Sequence, residues 1–199
     1  MLRLKQANFA DAAQEYAFVQ TIPRCENGFT NDWLGWSYAE FVEKALPQMQ
    51  RWARGEDLPA GFVPESFYFL WDGEQIVGHC RIRHRLTPAL AEGAGHFGYF
   101  IGSAFRGRGY ATEALRLLLD IARDLVPEEE FFLRVNKDNP ASLRVMLRNG
   151  ALHPPRGRRA LLRANPQEQV KKTGCGPHRG PHSPSAEKPS RRLRGGPFL

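Results

Sequence analysis

Residues Ser103 to Thr112, Ser-Ala-Phe-Arg-Gly-Arg-Gly-Tyr-Ala-Thr, place two glycines and two arginines directly before a run whose apolar residues recur at helical spacing. Such a loop is suited to an anion. The first turn of a helix leaves about four N–H groups without intrahelical partners and carries roughly half a positive charge, so a chain bending tightly over them gathers phosphate oxygens. The dipole contributes ~0.3–1 kcal/mol and each hydrogen bond to a charged oxygen roughly 1.5–3 kcal/mol, so converging amides dominate. Gly107 and Gly109 would let the backbone approach where a Cβ collides. Two phosphate loops are excluded. A P-loop needs Gly-Lys-Ser/Thr, but Gly109 is followed by Tyr110-Ala111, and a dinucleotide fingerprint needs a third glycine where Thr112 stands.

A second polar cluster follows at Asn136-Lys137-Asp138-Asn139-Pro140-Ala141-Ser142, closing at Asn149-Gly150. Arg106, Gly109 and Ala111 match Arg/Gln-x-x-Gly-x-Gly/Ala between a strand and a helix. Asn139, Ser142 and Gly150 match Asn-x-x-Ala/Ser followed by a glycine about eleven residues after the Asn. In these two motifs the chain resembles the GNAT superfamily of N-acetyltransferases. Ile82-Arg83-His84-Arg85-Leu86 and Gly95-His96-Phe97-Gly98-Tyr99 look like a bacterial subgroup of predicted acetyltransferases within it. The resemblance covers roughly residues 1–153.

The resemblance implies an α/β (α+β) fold with a central mixed, mainly antiparallel sheet flanked by helices. It implies acetyl-CoA as co-substrate, no metal, and transfer of the acetyl group to an amine of a small molecule or protein. The pyrophosphate would sit on Arg106, Gly107, Arg108, Gly109, Tyr110, Ala111 and Thr112. The strand before that loop would be splayed from its neighbour, with Tyr99, Phe100 and Ile101 lining the pantetheine and Asn136, Asn139 and Ser142 meeting the cofactor from the other side. A backbone N–H of that strand would hold the oxyanion.

An amine acceptor arrives protonated and must lose a proton before it attacks. His96 is the first candidate base, because imidazole titrates near neutrality and the family often places a base on this strand. A structural strand histidine is the plainer reading. Glu113 is the second candidate, although a carboxylate in a first helical turn also complements the dipole. Met146 occupies the place where many relatives carry a proton-donating tyrosine, so no general acid is assigned. His79 and Cys80 are adjacent on a strand and point to opposite faces, which argues against a cysteine nucleophile. Cys175, His178 and His182 have zinc-like spacing but supply three ligands only, and are read as no metal site.

The elements that must position these residues are legible in outline. Leu2–Lys5 reads as a short strand, Ala10–Val19 as a helix, and the stretch with Pro23, Gly28 and Asn31 as a polar loop. Phe41, Val42, Ala45, Leu46, Met49 and Trp52 follow the 3.6-residue period up to Gly55. Trp33, Trp36 and Tyr38 fall where the superfamily builds its acceptor lid, or equally in the core. Residues 66–71 and 75–85 form an antiparallel pair joined at Asp72-Gly73. Residues 96–102 read as a strand whose glycines mark a bulge or a close backbone approach. A helix from Gly109 to Pro127, a strand at 131–135 and a helix at 140–148 complete the order, with Asn139 as N-cap and Pro140 at N1.

The net charge of +7 over 199 residues points to nucleic acid until its distribution is read. Residues 154–199 carry a net +9 and the rest −2, so the basic pI says nothing about the acceptor. The chain divides into a catalytic domain, 1–153, and a basic Pro/Gly/Arg-rich tail, 154–199, which is too poor in apolar residues to offset its ordering entropy and is expected to be disordered. The family's C-terminal strands are therefore expected to be missing, as in a chain that has lost its usual C-terminus. The alternatives are a catalytically weak acyl-CoA-binding protein, or nucleic-acid contact through the tail. Specific nucleic-acid reading is not expected, because 154–197 has no aromatic residue. No signal-peptide pattern or apolar run of membrane length is present, so a cytoplasmic protein with no membrane partner is expected, and a homodimer is left open.

Overall fold

The computed structural model describes residues 1–136 and 138–151, together with the backbone of 161–164. Strand β1 (Leu2–Gln6) leads to helix α1 (Ala12–Val19), a small hairpin of β2 (Cys25–Glu26) and β3 (Phe29–Thr30), and helix α2 (Tyr38–Glu40). Helix α2 runs through a π-helical segment, Phe41–Ala45, into α3 (Leu46–Ala53). A capping box starts α2, with Ser37 accepting from the Glu40 N–H and Glu40 accepting from the Ser37 N–H. Pro47 explains the π segment: it cannot donate to the Glu43 carbonyl, and its ring would strike that turn of a regular helix.

Next come β4 (Glu65–Asp72), β5 (Gln75–Arg83), α4 (Pro88–Glu92), β6 (Phe97–Ile101), a 3-10 turn at Ser103–Phe105, α5 (Tyr110–Leu125), β7 (Phe132–Val135), α6 (Pro140–Arg148) and β8 (Leu161–Ala164). The β4–β5 hairpin turns at Gly73-Glu74, with Gly73 at φ 57° supplying the positive φ that a two-residue turn requires. Helix α4, capped by the Thr87 hydroxyl, lies in a stretch that reads in sequence only as a Pro/Gly-rich connection.

Strands β1, β4, β5 and β6 form one antiparallel sheet in the order β1-β4-β5-β6. The period-two alternation of β4 sorts two cores. Phe67, Phe69 and Trp71 pack with Val19, Phe41, Leu46 and Met49 of the N-terminal helices, while Tyr68 and Leu70 join Cys80, Ile82, Leu115 and Leu118 under α5. His79 and Cys80 do face opposite sides, and burial raises the Cys80 thiol far above its usual range, which removes it as a nucleophile.

Strand β7 is joined to the residues just before β6 by a bridge between Gly95 and Leu133, backed by the His96 N–H donating to the Phe132 carbonyl at 2.8 Å. Past that point the two strands diverge, and among the described residues none pairs with the outer edge of β6. On its far side β7 pairs in parallel with β8. One short strand thus comes from the segment expected to supply none, because β7 offers it an open edge; residues 152–160 and 165–199, with the Cys175–His182 cluster, lie outside the described residues.

Candidate active site

A cleft of about 430 Å³ opens between the free edge of β6, the start of α5 and the first turns of α6. Backbone geometry shapes the end of the cleft at the start of α5. Gly107 and Gly109 have φ of 80° and 82°, and among the described residues no atom lies within 4 Å of a Cβ built on either. These glycines are required by their left-handed conformation, since a Cβ added there would be strained by its φ and not by a neighbouring atom of the described residues. Gly109 is the N-cap of α5, and among the described residues no side chain caps it. The first bonds back to this cap come from the N–H groups of Thr112 and Glu113, so those of Tyr110 and Ala111 precede the helical ladder.

Strand β6 supplies the cleft wall. The Arg83 N–H donates to the His96 carbonyl and the Gly102 N–H to the Val77 carbonyl, which fixes the even-numbered residues as those bonded to β5. Alternation then turns the amides of Phe97, Tyr99 and Ile101 toward the cleft. The glycines of this strand have local reasons. A Cβ on Gly98 would meet Arg81 Cγ at 2.9 Å, and one on Gly102 would meet the Phe105 ring at 3.1 Å.

The structure brings Tyr99, Phe100, Ile101, Arg106, Gly107, Gly109, Tyr110, Ala111, Thr112, Asn136, Asn139 and Ser142 together around this cleft. The Tyr99 hydroxyl crosses to α6, 2.7 Å from Ser142 Oγ, and burial pushes its pKa up to about 12. Asn139 Oδ1 accepts from the Ser142 N–H at 3.0 Å, so this residue is the helix cap as well as part of the lining. Arg106 is already occupied: Nη1 and Nη2 each donate to a Glu26 oxygen at 2.8 Å, and Nε donates to the Ile101 carbonyl at 3.0 Å. Those bonds hold the Glu26 carboxyl below its usual range. The Tyr110 hydroxyl donates to Asp72 at 2.6 Å and ties the helix start to the end of β4.

Three expected site residues do not line the cleft. Arg108 lies over the Phe105 ring at 5.9 Å. Glu113, in the first turn of α5, is paired with Arg116 at 2.7 Å, a bond that lowers its pKa. His96 is fully buried at the β6–β7 bridge among Phe97, Phe131 and Phe132. Its Nδ1 accepts the Phe132 N–H at 3.0 Å and its Nε2 faces Glu128 at 3.7 Å, while burial lowers its pKa. The plainer reading, a structural histidine, describes this placement.

Other lining residues escape the sequence reading. The β2–β3 hairpin lies where a polar loop was expected, and an Asn27-Gly28 turn could have revealed it. A Cβ on its tip residue Gly28 would lie 3.7 Å from Asn136 Nδ2, so the hairpin spans the cleft from β6 toward β7. Arg81 lies on the floor beneath it, donating to the Thr30 carbonyl at 2.6 Å with its guanidinium 4.6 Å from the Phe29 ring centroid. Met146 lines the cleft as a buried apolar side chain. Trp33 is core, packed on Phe67 and His79, whereas Tyr38 is exposed. Among the described residues no group of three or more His, Cys, Asp or Glu could hold a metal ion, and no helix is long and apolar enough to cross a membrane.

Comparison with known proteins bears on this geometry. No curated protein sequence matches the chain. Solved structures similar to it include a GNAT acetyltransferase from Streptococcus pneumoniae (16% identity, 75% of this chain and 83% of that one, TM-score 0.48). Others are the microcin C7 self-immunity acetyltransferase MccE in complex with acetyl-CoA and AMP (17%, 75% and 77%, TM-score 0.48) and Mycobacterium smegmatis RimJ in complex with CoA-disulfide (19%, 73% and 68%, TM-score 0.47). The family profile described as "Acetyltransferase (GNAT) domain" matches residues 2–152, the same stretch that builds the sheet, the splayed edge and the glycine loop, and the chain belongs to that family.

Proposed function

We propose that the protein transfers an acetyl group from acetyl-CoA to an amine. The observation that carries this reading is the uncapped start of α5, opening onto the free edge of β6 within one cleft. The pyrophosphate is held by the loop amides from Gly107 to Ala111, with the positive helix end behind them. Arg144 and Arg148 face the same end, since Asn149 Nδ2 donates to the Thr112 carbonyl at 3.1 Å and so sets the end of α6 beside the loop. The pantetheine arm runs along β6 as an added strand. The outward amides of Phe97 and Tyr99 are the donors available to the thioester oxygen as it becomes an oxyanion.

The acceptor amine attacks the thioester carbon, and collapse of the tetrahedral intermediate expels the CoA thiolate. Glu26, the one carboxylate among the described residues of the cleft lining, is held ionised by Arg106 and is a poor base, so the ammonium proton leaves to solvent through the open cleft. Free-thiol release from acetyl-CoA across an amine panel tests turnover, beside calorimetric CoA titration of wild type and Gly109→Glu. Turnover in wild type with loss of CoA binding in the variant is expected. Binding without turnover would favour an acyl-CoA-binding protein, and no binding would overturn both readings.

A further inference from the structure

The cleft is basic at two ends, and only one end can serve the cofactor. Arg148 sits beside the glycine loop, as the Asn149–Thr112 bond shows. The other set lies at the Gly95 end. Arg83 Nη1 donates to the Gly95 carbonyl at 3.1 Å, and Arg134 Nη1 donates to the Glu92 carbonyl. Arg81 is paired across the ladder with Gly98, three residues before Ile101, or about 10 Å of strand before the phosphate loop begins. At that distance the diphosphate does not explain it.

Arg81 is the best placed of this set. Its side chain is only 11% exposed, and its stem lies on Gly98, where a Cβ would meet it at 2.9 Å. Its Nη2 is used by Thr30, but among the described residues Nε and Nη1 have no acceptor within hydrogen-bond distance, and both belong to a side chain that lines the cleft. The nearest carboxylate oxygen, Glu65 Oε1, is 3.9 Å from Nη1 and is shared with Arg83 at 3.3 Å. Asp32, exposed and close enough to act on Arg81, reduces the local positive charge without reversing it. A buried guanidinium keeps its proton and presents a planar fork that suits a carboxylate.

We infer that the acceptor is an amine carrying its own carboxylate, as a free amino acid does, and that Arg81 binds that carboxylate beside the reacting carbon. This rests on the acetyl-transfer reading and narrows it. A polyamine or a lysine-rich peptide would require carboxylates in the lining, and the one among the described residues there, Glu26, is bound to Arg106 at the other end.

The test uses the full chain. CoA is first titrated into wild type, Arg81→Met and Arg81→Lys, and equal affinities are expected, since Arg81 lies away from the phosphate loop. Thiol release is then measured with the L-amino acids as free acids, the same amino acids as carboxamides, and spermidine. Free acids should exceed carboxamides by roughly tenfold or more in kcat/KM, carried by KM, and Arg81→Met should abolish the difference while Arg81→Lys keeps part of it. Equal or better use of carboxamides or spermidine, or discrimination that survives in Arg81→Met, would overturn the inference. If CoA binds but no amine is acetylated, Nα-acetyl amino acids titrated into the CoA-loaded protein decide. Binding to wild type and not to Arg81→Met supports the carboxylate site; no binding, or equal binding, removes it. Absence of CoA binding removes the transfer reading and this inference with it.

Discussion

Glu26 and Arg106, eighty residues apart in sequence, form a two-pronged ion pair with both arms at 2.8 Å, fastening the β2–β3 hairpin to the glycine loop before α5. A guanidinium that the motif assigns to the cofactor is thereby spent on the protein before any cofactor arrives. Glu26→Gln should release it, lowering the calorimetric Kd for CoA several-fold and steepening its salt dependence. Weaker binding in the variant would mean that the pair serves to hold the hairpin in place.

Glu15 is fully buried, accepting from the Asn8 N–H at 3.1 Å, and burial lifts its pKa from 4.5 to about 8. A carboxyl that is harder to ionise when folded favours folding most below about pH 4.5, and that advantage is lost as pH rises through about 8. Denaturation midpoints followed from pH 5 to 8.5 should fall in wild type and fall less in Glu15→Gln.

The opposite limb belongs to His79, fully buried among Phe29, Trp33, Phe67 and Phe69 with neither ring nitrogen bonded among the described residues, and with its pKa pushed down to about 3. Stability from keeping this imidazole neutral is complete above about pH 6.5 and drains away as pH falls toward 3. In His79→Phe the acid side of the stability profile should flatten; an unchanged acid slope would assign it to other groups.

Tyr99 and Ser142 join β6 to α6 across the bottom of the cleft. Tyr99→Phe should cost about 1 kcal/mol in chemical denaturation, the usual net value of one hydrogen bond, and should weaken CoA binding because the two walls lose their tie.

Gly95 holds a φ of 69° where β7 meets β6, and a Cβ there would collide with the Phe132 carbonyl. Gly95→Ala combines left-handed strain with overpacking and should destabilise the fold by about 2–4 kcal/mol. A loss no larger than that of Gly61→Ala, which has positive φ but open surroundings, would show that the close approach carries no energy.

Local signals explain what was legible in advance. The apolar face of α5, the Asn139-Pro140 start of α6 and the glycine loop each arise within a few residues, where propensity and periodicity act directly; the Asp72-Gly73 signal marked the β4–β5 hairpin too, but the turn itself lies one residue on, at Gly73-Glu74. The β2–β3 hairpin was missed because its two-residue strands show no alternation, and α4 because one capped turn resembles a connection.

Sequence by itself determined the helix start that presents bare amides and the strand-helix-strand-helix order that sets the second polar cluster opposite it. Only tertiary structure decided which charges reach the cleft. Alternation says that His96, Gly98 and Phe100 share a parity, but the packing of Phe131 and Phe132 seals His96 away, and the bare face of Gly98 admits the Arg81 stem. Electrostatic partners such as Glu26 and Arg106, or Glu65 with Arg81 and Arg83, are chosen by distance in space, and distance across a folded sheet is not written in any local stretch of the chain.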